Sequence, residues 1–240
     1  MCYNILSINN QRGINMKKNK NTKIGIIFDL DGTILNTLDD LADAVNYALK
    51  YYHYPLRTYE EIRRFVGNGV KLLIQRAVPK DINNEQFEQT FELFKNYYSK
   101  NLHNKTRPYE GIINLMETLK QQNINMGIVS NKYQSAVSLL NKDFFKEYID
   151  VAIGTRENMK TKPDPEAVDL AIQELGLDKK KDIIYYVGDS DVDIMTARNA
   201  NLPIISVTWG FRTREELVSF NPDYLIDSPE EILSIIKIKE

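Results

Sequence analysis

The chain has a single cysteine, Cys2, among its 240 residues. One cysteine excludes an internal disulfide and a cysteine-based metal site, and it favours a reducing, cytoplasmic setting. Lys and Arg (31) nearly balance Asp and Glu (33), for a net charge of −2, so nothing indicates a general affinity for nucleic acid or an acidic membrane. No apolar run approaches the roughly 20 residues of a membrane helix, and we expect no membrane association.

The first 21 residues also lack a continuous apolar segment of signal-peptide length. They are rich in Asn and Lys, and we expect a poorly ordered tail. Met16 is a candidate for the native start, which would make residues 1–15 an upstream extension. The whole composition, 42% hydrophobic and 27% charged, is typical of a globular protein with a substantial core.

A short apolar run at residues 24–28 ends in Asp29-Leu30-Asp31-Gly32-Thr33. The run predicts a strand buried on both faces, because its apolar residues follow one another instead of alternating. The two carboxylates, two positions apart, project to the same side of an extended chain and repel each other. A divalent cation would hold them there, and solvated loop acids are the alternative for the pair alone. A calcium loop is excluded, because Ile34 and Asp40 occupy the positions of its turn glycine and closing Glu.

Residues 38–103 predict helices throughout and no convincing strand. Apolar residues recur there at three- and four-residue spacings, as they do on the buried face of an amphipathic helix. Thr58 and Glu61 predict a capping box at the start of the second of four helices. Gly67-Asn68-Gly69 breaks the pattern after that helix, either as a plain interhelix turn or as a loop that faces a ligand.

From Pro108 onward, helical and strand patterns alternate. Asp164-Pro165-Glu166 predicts a helix start with Asp164 as N-cap and proline at the first helical position. The predicted strands cover residues 124–129, 148–154, 183–187, 203–208 and 224–226. Such alternation predicts an α/β fold, a Rossmann-like parallel sheet with helices on both faces.

The position of the helical segment predicts the domain organisation. It follows the carboxyl end of the first strand, so it should lie over the sheet edge where such folds bind ligands. We therefore predict an α/β core domain of residues 22–37 and 104–240, an all-helical cap domain of residues 38–103, and a tail of residues 1–21.

Polar side chains follow four of the predicted strands. Because the carboxyl ends of parallel strands share one edge of a sheet, we expect these groups to converge. Taken singly, each has a plainer explanation, as a helix cap for Ser130 or Asp189 and as a solvated loop charge for Lys162. The converging residues are Asp29, Asp31, Ser130, Asn131, Lys162, Asp189, Ser190, Asp191 and Asp193.

Together these segments resemble the four ordered motifs of the haloacid dehalogenase superfamily. The helical segment is similar to that superfamily's helical cap, and the resemblance spans roughly residues 23–230. The segments 65–69 and 209–213 further resemble the phosphoglycolate phosphatase group. The four motifs are Asp29-Leu30-Asp31-Gly32-Thr33-Ile34, Ser130-Asn131, Lys162-Pro163-Asp164-Pro165 and Gly188-Asp189-Ser190 with Asp193.

The resemblance implies a magnesium-dependent phosphatase that acts on a small phosphomonoester, with 2-phosphoglycolate as the leading substrate. It implies that Asp29 is the nucleophile that forms an aspartyl-phosphate and that Asp31 is the general acid and base. Mg²⁺ would bind the Asp29 carboxylate, the Asp31 backbone carbonyl and Asp189, while Asp193 positions metal-bound waters. The implied phosphate-binding residues are Thr33, Ser130, Asn131 and Lys162.

Other activities are compatible with parts of this pattern. A sugar-phosphate mutase or a pyrophosphatase would use the same residues. A receiver-type signalling domain is also phosphorylated on an Asp, but it lacks the acid two residues after that Asp and has no cap of this kind. Asp31 argues against dehalogenation, since expelling a halide needs no proton.

Two segments of the chain lie at positions that we expect to influence substrate choice. Asn36-Thr37 stands where many relatives carry Asp-Ser, at the entry to the helical segment. Gly67-Asn68-Gly69 is the candidate substrate loop of the cap. The expected partner is a small phosphorylated metabolite, and the sequence does not indicate an oligomeric state.

Overall fold

A parallel sheet of six strands organises the part of the chain that this computed structural model describes, residues 22–236. The predicted tail and the extension at residues 1–15 lie outside the described residues. The strands are β1 (Ile24–Phe28), β2 (Leu35–Asn36), β3 (Arg107–Pro108), β4 (Asn125–Tyr133), β5 (Val151–Thr155), β6 (Ile183–Gly188), β7 (Ile204–Val207) and β8 (Tyr224–Ile226). The large sheet has the order β5-β4-β1-β6-β7-β8, and every neighbouring pair in it is parallel.

Ten helices accompany these strands in the described residues. They are α1 (Leu38–Tyr51), α2 (Tyr59–Phe65), α3 (Val70–Ala77), α4 (Asn84–Asn101), α5 (Ile112–Gln121), α6 (Gln134–Phe144), α7 (Glu166–Glu174), α8 (Asp191–Asn199), α9 (Arg214–Ser219) and α10 (Glu231–Ile236). No helix within residues 22–236 is both long enough and apolar enough to span a membrane.

Strand β1 lies at the centre of the sheet, between β4 and β6. Its apolar run is buried on both faces, because helices cover each side. Ile26 and Phe28 pack with apolar residues of α5, α6 and α10, whereas Ile27 packs with those of α7, α8 and α9. The predicted buried strand and the predicted α/β fold with helices on both faces are confirmed.

Helices α1 to α4, which we call the helical insert, lie between β2 and β3 along the chain. The predicted capping box at the start of α2 is present. The connections to and from the helical insert pair with each other as β2 and β3, a two-stranded antiparallel sheet that the sequence did not predict. The buried Asp40 carboxylate adds hydrogen bonds from the backbone N–H groups of Lys105 and Thr106 on the returning connection.

Three predicted boundaries were wrong, and one of them is the start of β5, which lies at Val151 and not at residue 148. Strand β4 continues to Tyr133, since its pairing with β5 resumes after an irregularity between Val129 and Tyr133, so Ser130 lies inside the strand and is not a helix cap. Helix α7 begins at Glu166 with Pro165 at the N-cap position, one residue later than predicted. The Asp164 side chain still accepts a hydrogen bond from the Glu166 N–H group, at 3.1 Å.

Helix α9 was missed because it is only six residues long. Its sequence signal is the Thr213–Glu216 capping box, in which each side chain accepts a hydrogen bond from the other residue's backbone N–H group.

Candidate active site

One cavity at the carboxyl edge of the sheet collects most of the residues predicted to converge. Its floor comes from the ends of β1 and β4 and from the loop before α7. Its walls and roof come from the helical insert, through the start of α3, the loop before it, and α1. The lining residues are Asp29, Asp31, Leu41, Val66, Gly67, Gly69, Val70, Leu73, Ser130, Asn131, Lys132 and Lys162.

Asp29 and Lys162 form a buried ion pair on the cavity floor. Asp29 Oδ1 lies 2.7 Å from Lys162 Nζ, which also contacts Asp193 Oδ1 at 2.8 Å and the Tyr186 hydroxyl at 3.1 Å. Burial, with the Asp193 and Asp189 carboxylates, raises the pKa of Asp29 well above its ordinary value, although Lys162 opposes this shift. Burial alone lowers the pKa of Lys162, but the Asp193 and Asp29 carboxylates outweigh it and raise that pKa.

Asp189, after β6, faces the same cluster from the other side. Its Oδ1 accepts a hydrogen bond from the Thr33 hydroxyl at 3.1 Å, and its Oδ2 accepts one from the Phe211 backbone N–H at 2.7 Å. Burial and the Asp193 carboxylate nevertheless raise the pKa of Asp189 to about 7. The raised pKa values of Asp29 and Asp189 indicate that the single positive charge of Lys162 does not offset the negative charge of these carboxylates.

These carboxylates fit a hard divalent cation. Oxygen atoms of Asp29, Asp189 and Asp193 lie within 4.8 Å of one another, and all three residues are buried. Carboxylate oxygens are the ligands that Mg²⁺ prefers, and a cation here would offset the charge that raises the two carboxyl pKa values. The donor set is consistent with metal binding by Asp29 and Asp189.

The Asp193 carboxylate accepts more hydrogen bonds than the carboxylates of Asp29 and Asp189 do. Its Oδ1 accepts hydrogen bonds from Lys162 and from the Tyr186 hydroxyl, at 2.8 and 3.3 Å. Its Oδ2 accepts from both the hydroxyl and the backbone N–H of Ser190, in the capping box that starts α8. Asp193 thus holds Lys162 in place and fixes the start of the helix, as a supporting residue would.

Asp31 points away from this cluster, toward the helical insert. Its Oδ1 accepts hydrogen bonds from the Thr37 hydroxyl at 2.7 Å and from Lys132 Nζ at 2.8 Å. Its side chain is 15% exposed, on the cavity side. The two acids of the first motif therefore have separate environments, one in the carboxylate cluster around Lys162 and the other beside a second lysine.

Lys132 is the site residue that sequence reasoning missed. It follows Ser130-Asn131 directly, and a lysine at the end of a strand is usually an exposed surface charge. Its side chain is nevertheless only 2% exposed, between Asp31 and the hydroxyl of Tyr98 in α4. Its partner Tyr98 is 34 positions away in the chain, so no local pattern could signal the burial.

Asn131 connects three parts of the site. Its side-chain Nδ2 donates to the carbonyls of Lys162 and Gly67, at 3.1 and 3.3 Å, and its Oδ1 accepts from the Lys162 backbone N–H at 2.8 Å. The Gly67-Asn68-Gly69 loop thereby contacts the sheet edge, and Gly67 and Gly69 line the cavity at positive φ. The loop therefore joins α2 to α3 and also lines the cavity, and its contact with a substrate stays a prediction.

The segment after β7 supports the first motif and Asp189. The indole N–H of Trp209 donates to the Thr33 carbonyl at 2.9 Å. A Cβ atom on Gly210 would collide with the Cβ of Asp189 and with the Gly32 carbonyl oxygen. Only glycine fits between these groups, so this segment fixes where the Asp189 carboxylate lies.

We expect Gly210→Ala to displace Asp189, with a loss of about 1–3 kcal/mol in stability and a marked loss of divalent-cation affinity. The matched control is Gly176→Ala, at an exposed position with φ of +63° and nothing within 4 Å of the added Cβ. The control should lose about 1 kcal/mol through backbone strain and keep its cation affinity. Thermal unfolding and calorimetric Mg²⁺ titration measure both quantities, and equal affinities in the two variants would contradict this prediction.

Comparisons with known proteins agree with this geometry. Residues 26–207 match the profile of the haloacid dehalogenase-like hydrolases. A phosphoglycolate phosphatase from Vibrio parahaemolyticus is 30% identical over 220 residues, covering 89% of this chain and 96% of that protein. A phosphoglycolate phosphatase from Mannheimia succiniciproducens is 32% identical over 217 residues, covering 87% and 96%.

The similarity extends to three-dimensional structure. The crystal structure of a predicted phosphoglycolate phosphatase from Haemophilus somnus superimposes with a TM-score of 0.82 at 31% identity, covering 90% of this chain and 98% of that one. The predicted resemblance to the superfamily and to its phosphoglycolate phosphatase group is confirmed. The chain belongs to the haloacid dehalogenase-like hydrolase family.

Proposed function

We propose that the chain is a magnesium-dependent phosphatase of small phosphomonoesters, with 2-phosphoglycolate as its leading substrate. The observation that carries this proposal is the position of Asp29. Its carboxylate lies on the cavity floor, 2.7 Å from the Lys162 ammonium and beside the carboxylates that fit a divalent cation. A nucleophile that attacks a phosphoryl group needs cationic partners of this kind for the phosphoryl oxygens.

Asp29 and Asp31 divide the chemistry between them. Asp29 attacks phosphorus through a carboxylate oxygen, the ester bond breaks, and Asp31 protonates the leaving alkoxide. Asp31 then takes a proton from the water that attacks the aspartyl-phosphate, which releases inorganic phosphate. Mg²⁺, when held by Asp29, Asp189 and the Asp31 carbonyl, supplies positive charge for the phosphoryl oxygens.

Ser130 and Lys162 are the phosphate-binding side chains in this proposal. The Ser130 hydroxyl oxygen accepts a hydrogen bond from the Lys132 backbone N–H, which leaves its own hydrogen for a phosphoryl oxygen. The Thr33 hydroxyl and the Asn131 amide already donate to Asp189 and to backbone carbonyls. We therefore assign positional support to Thr33 and Asn131, with any phosphate contact made through their backbone.

The helical insert acts as the cap in this proposal. It supplies the apolar wall of the cavity and reaches the core domain through the Gly67 carbonyl and through the Val66 carbonyl, which accepts a hydrogen bond from Arg212 at 3.0 Å. A wall of this kind keeps water away from the phosphoryl group while leaving room for a small leaving group.

A phosphatase screen tests the proposal directly. Purified protein is assayed with Mg²⁺, and in parallel with EDTA, on 2-phosphoglycolate, pyrophosphate, nucleotides and hexose phosphates. We expect Mg²⁺-dependent phosphate release with the highest kcat/KM on 2-phosphoglycolate. Release from pyrophosphate alone, or isomerisation of a hexose phosphate without phosphate release, would instead support the alternative activities.

For Asp31→Asn we expect a loss of about 10²-fold in kcat on alkyl phosphates, because the alkoxide leaves without a proton. With an aryl phosphate, whose leaving group needs no proton, the burst that forms the phosphoenzyme should survive while its hydrolysis slows. Asp39→Asn, an exposed acid in the first turn of α1, is the matched control. Unchanged rates on both ester classes would remove Asp31 from the mechanism.

A further inference from the structure

Lys132 has no role in the mechanism described so far, although it is the second buried lysine of the cavity. Its ammonium lies 2.8 Å from Asp31 Oδ1 and 2.8 Å from the Tyr98 hydroxyl. A buried ammonium is costly unless it is paired and hydrogen-bonded. Both of these partners are hydrogen-bond acceptors, and one of them is a carboxylate, so the buried ammonium is paired.

The hydrogen bonds of Lys132 leave one donor uncommitted. A lysine ammonium has three hydrogens, and Asp31 and Tyr98 account for two of them. The residue also lines the cavity, where the helical insert offers an apolar wall that includes Leu41, Val66 and Leu73. Among the described lining residues, the only other cation is Lys162, which already contacts Asp29 and Asp193.

The distance between Lys132 and Asp31 limits what the third hydrogen can reach. The ester oxygen of a substrate must lie within about 2.6–3.2 Å of Asp31 to receive its proton. Lys132 Nζ is 2.8 Å from the same carboxylate, so it lies next to the first carbon of the leaving group. An anionic substituent on that carbon would accept a hydrogen bond from the ammonium, whereas an alkyl group there would leave the third hydrogen without an acceptor.

We propose that Lys132 is a specificity residue that selects phosphomonoesters whose leaving group carries a carboxylate on the carbon attached to the ester oxygen. This inference rests on the proposed phosphatase function and adds the residue that selects the substrate. Tyr98 holds the ammonium in place from the helical insert, so Tyr98 contributes to this selection although it does not itself line the cavity. Charge-assisted hydrogen bonds of this kind are about twice as strong as neutral ones.

The test compares two substrates that differ in the carboxylate, 2-phosphoglycolate and ethyl phosphate. We expect Lys132→Met to lower kcat/KM for 2-phosphoglycolate by about 10²-fold more than for ethyl phosphate. Tyr98→Phe keeps the charge and removes only the hydroxyl, so it should shift the same ratio in the same direction by a smaller factor. Lys160→Met, at an exposed lysine near the same loop, is the control and should leave the ratio unchanged.

Each outcome decides between a selective role and a supporting one. If Lys132→Met lowers both kcat/KM values by the same factor, Lys132 acts only through Asp31 and the inference is wrong. If Lys132→Met does not fold, Tyr98→Phe decides, because an unchanged ratio in that variant also contradicts the inference. Failure of the proposed function looks different, since the unmodified protein would then release phosphate from neither ester.

Discussion

Asp29→Asn is expected to lower kcat for phosphomonoester hydrolysis by at least about 10³-fold, the scale seen when a nucleophile is removed. The amide is a poor nucleophile, so no aspartyl-phosphate forms. The shape of the side chain is kept, and Lys162 retains its 2.8 Å contact with Asp193. The loss is therefore chemical, and the site remains assembled.

The same substitution should leave the metal-free protein at least as stable as the original. Burial and the neighbouring Asp193 and Asp189 carboxylates raise the pKa of Asp29, which means that its charged form is disfavoured in the folded state. Replacing it with a neutral amide removes that cost. Loss of activity together with an unchanged or higher Tm in EDTA would be the signature of a residue kept for chemistry at the expense of stability.

The measurements are steady-state kinetics, thermal unfolding in EDTA and acid-quench trapping of the phosphoenzyme. Asp43→Asn, an exposed acid of α1 that contacts Lys105, is the matched control and should keep full activity. Asp29→Asn retaining more than about 1% of kcat would exclude Asp29 as the nucleophile.

The second large effect concerns the stability of the metal-free protein as a function of pH. The pKa of Asp189 is raised from an ordinary value of 3.8 to about 7 in the folded state. Between these values the folded protein binds more protons than the unfolded chain, so the free energy of unfolding falls as pH rises, by up to about 1.4 kcal/mol per unit. The stabilisation is fully present below about pH 4 and is lost as pH rises through about 7.

A bound divalent cation should reverse this trend. It favours the charged carboxylates and binds only the folded protein, so its stabilising effect grows as they lose their protons. We expect the Tm in EDTA to fall between about pH 5 and 7.5, and the difference between Mg²⁺ and EDTA to widen over the same range.

The control for this prediction is Asp189→Asn. It should weaken the pH dependence of Tm in EDTA, to which Asp29 also contributes, and sharply reduce the stabilisation by Mg²⁺. Acids elsewhere in the protein whose pKa values are lowered, such as Glu60 and Asp178, titrate below this pH range and do not obscure it. A Tm in EDTA that stays level or rises from about pH 5 to 7.5 would show that ionisation of the buried acids does not destabilise the folded state.

The sequence predicted the parts of this molecule that depend on local pattern and sheet topology. A contiguous apolar run indicated the buried central strand, and acids directly after it had to lie at the carboxyl edge. Lys162 and Asp189 lie beside Asp29 because the strands that precede them, β5 and β6, run parallel to β1 in the same sheet. These inferences needed only periodicity and chain order.

The parts that were missed depend on packing between distant segments. Lys132, in strand β4, is buried because Tyr98 in helix α4 reaches its ammonium. Asp40 is an acid in the first turn of α1, and its carboxylate accepts hydrogen bonds from Lys105 and Thr106, more than 60 positions away. Neither residue differs from a surface charge in its local sequence.

The pairing of β2 with β3 has a mechanical consequence. Two independent linkers would let the helical insert twist and translate freely, but these two are hydrogen-bonded side by side and tied again by Asp40. The helical insert can therefore rotate as one rigid unit about this single hinge. Such a rotation would separate Tyr98 from Lys132 and Gly67 from Asn131 at the same time, so the cavity would open and Lys132 would lose its hydroxyl partner together.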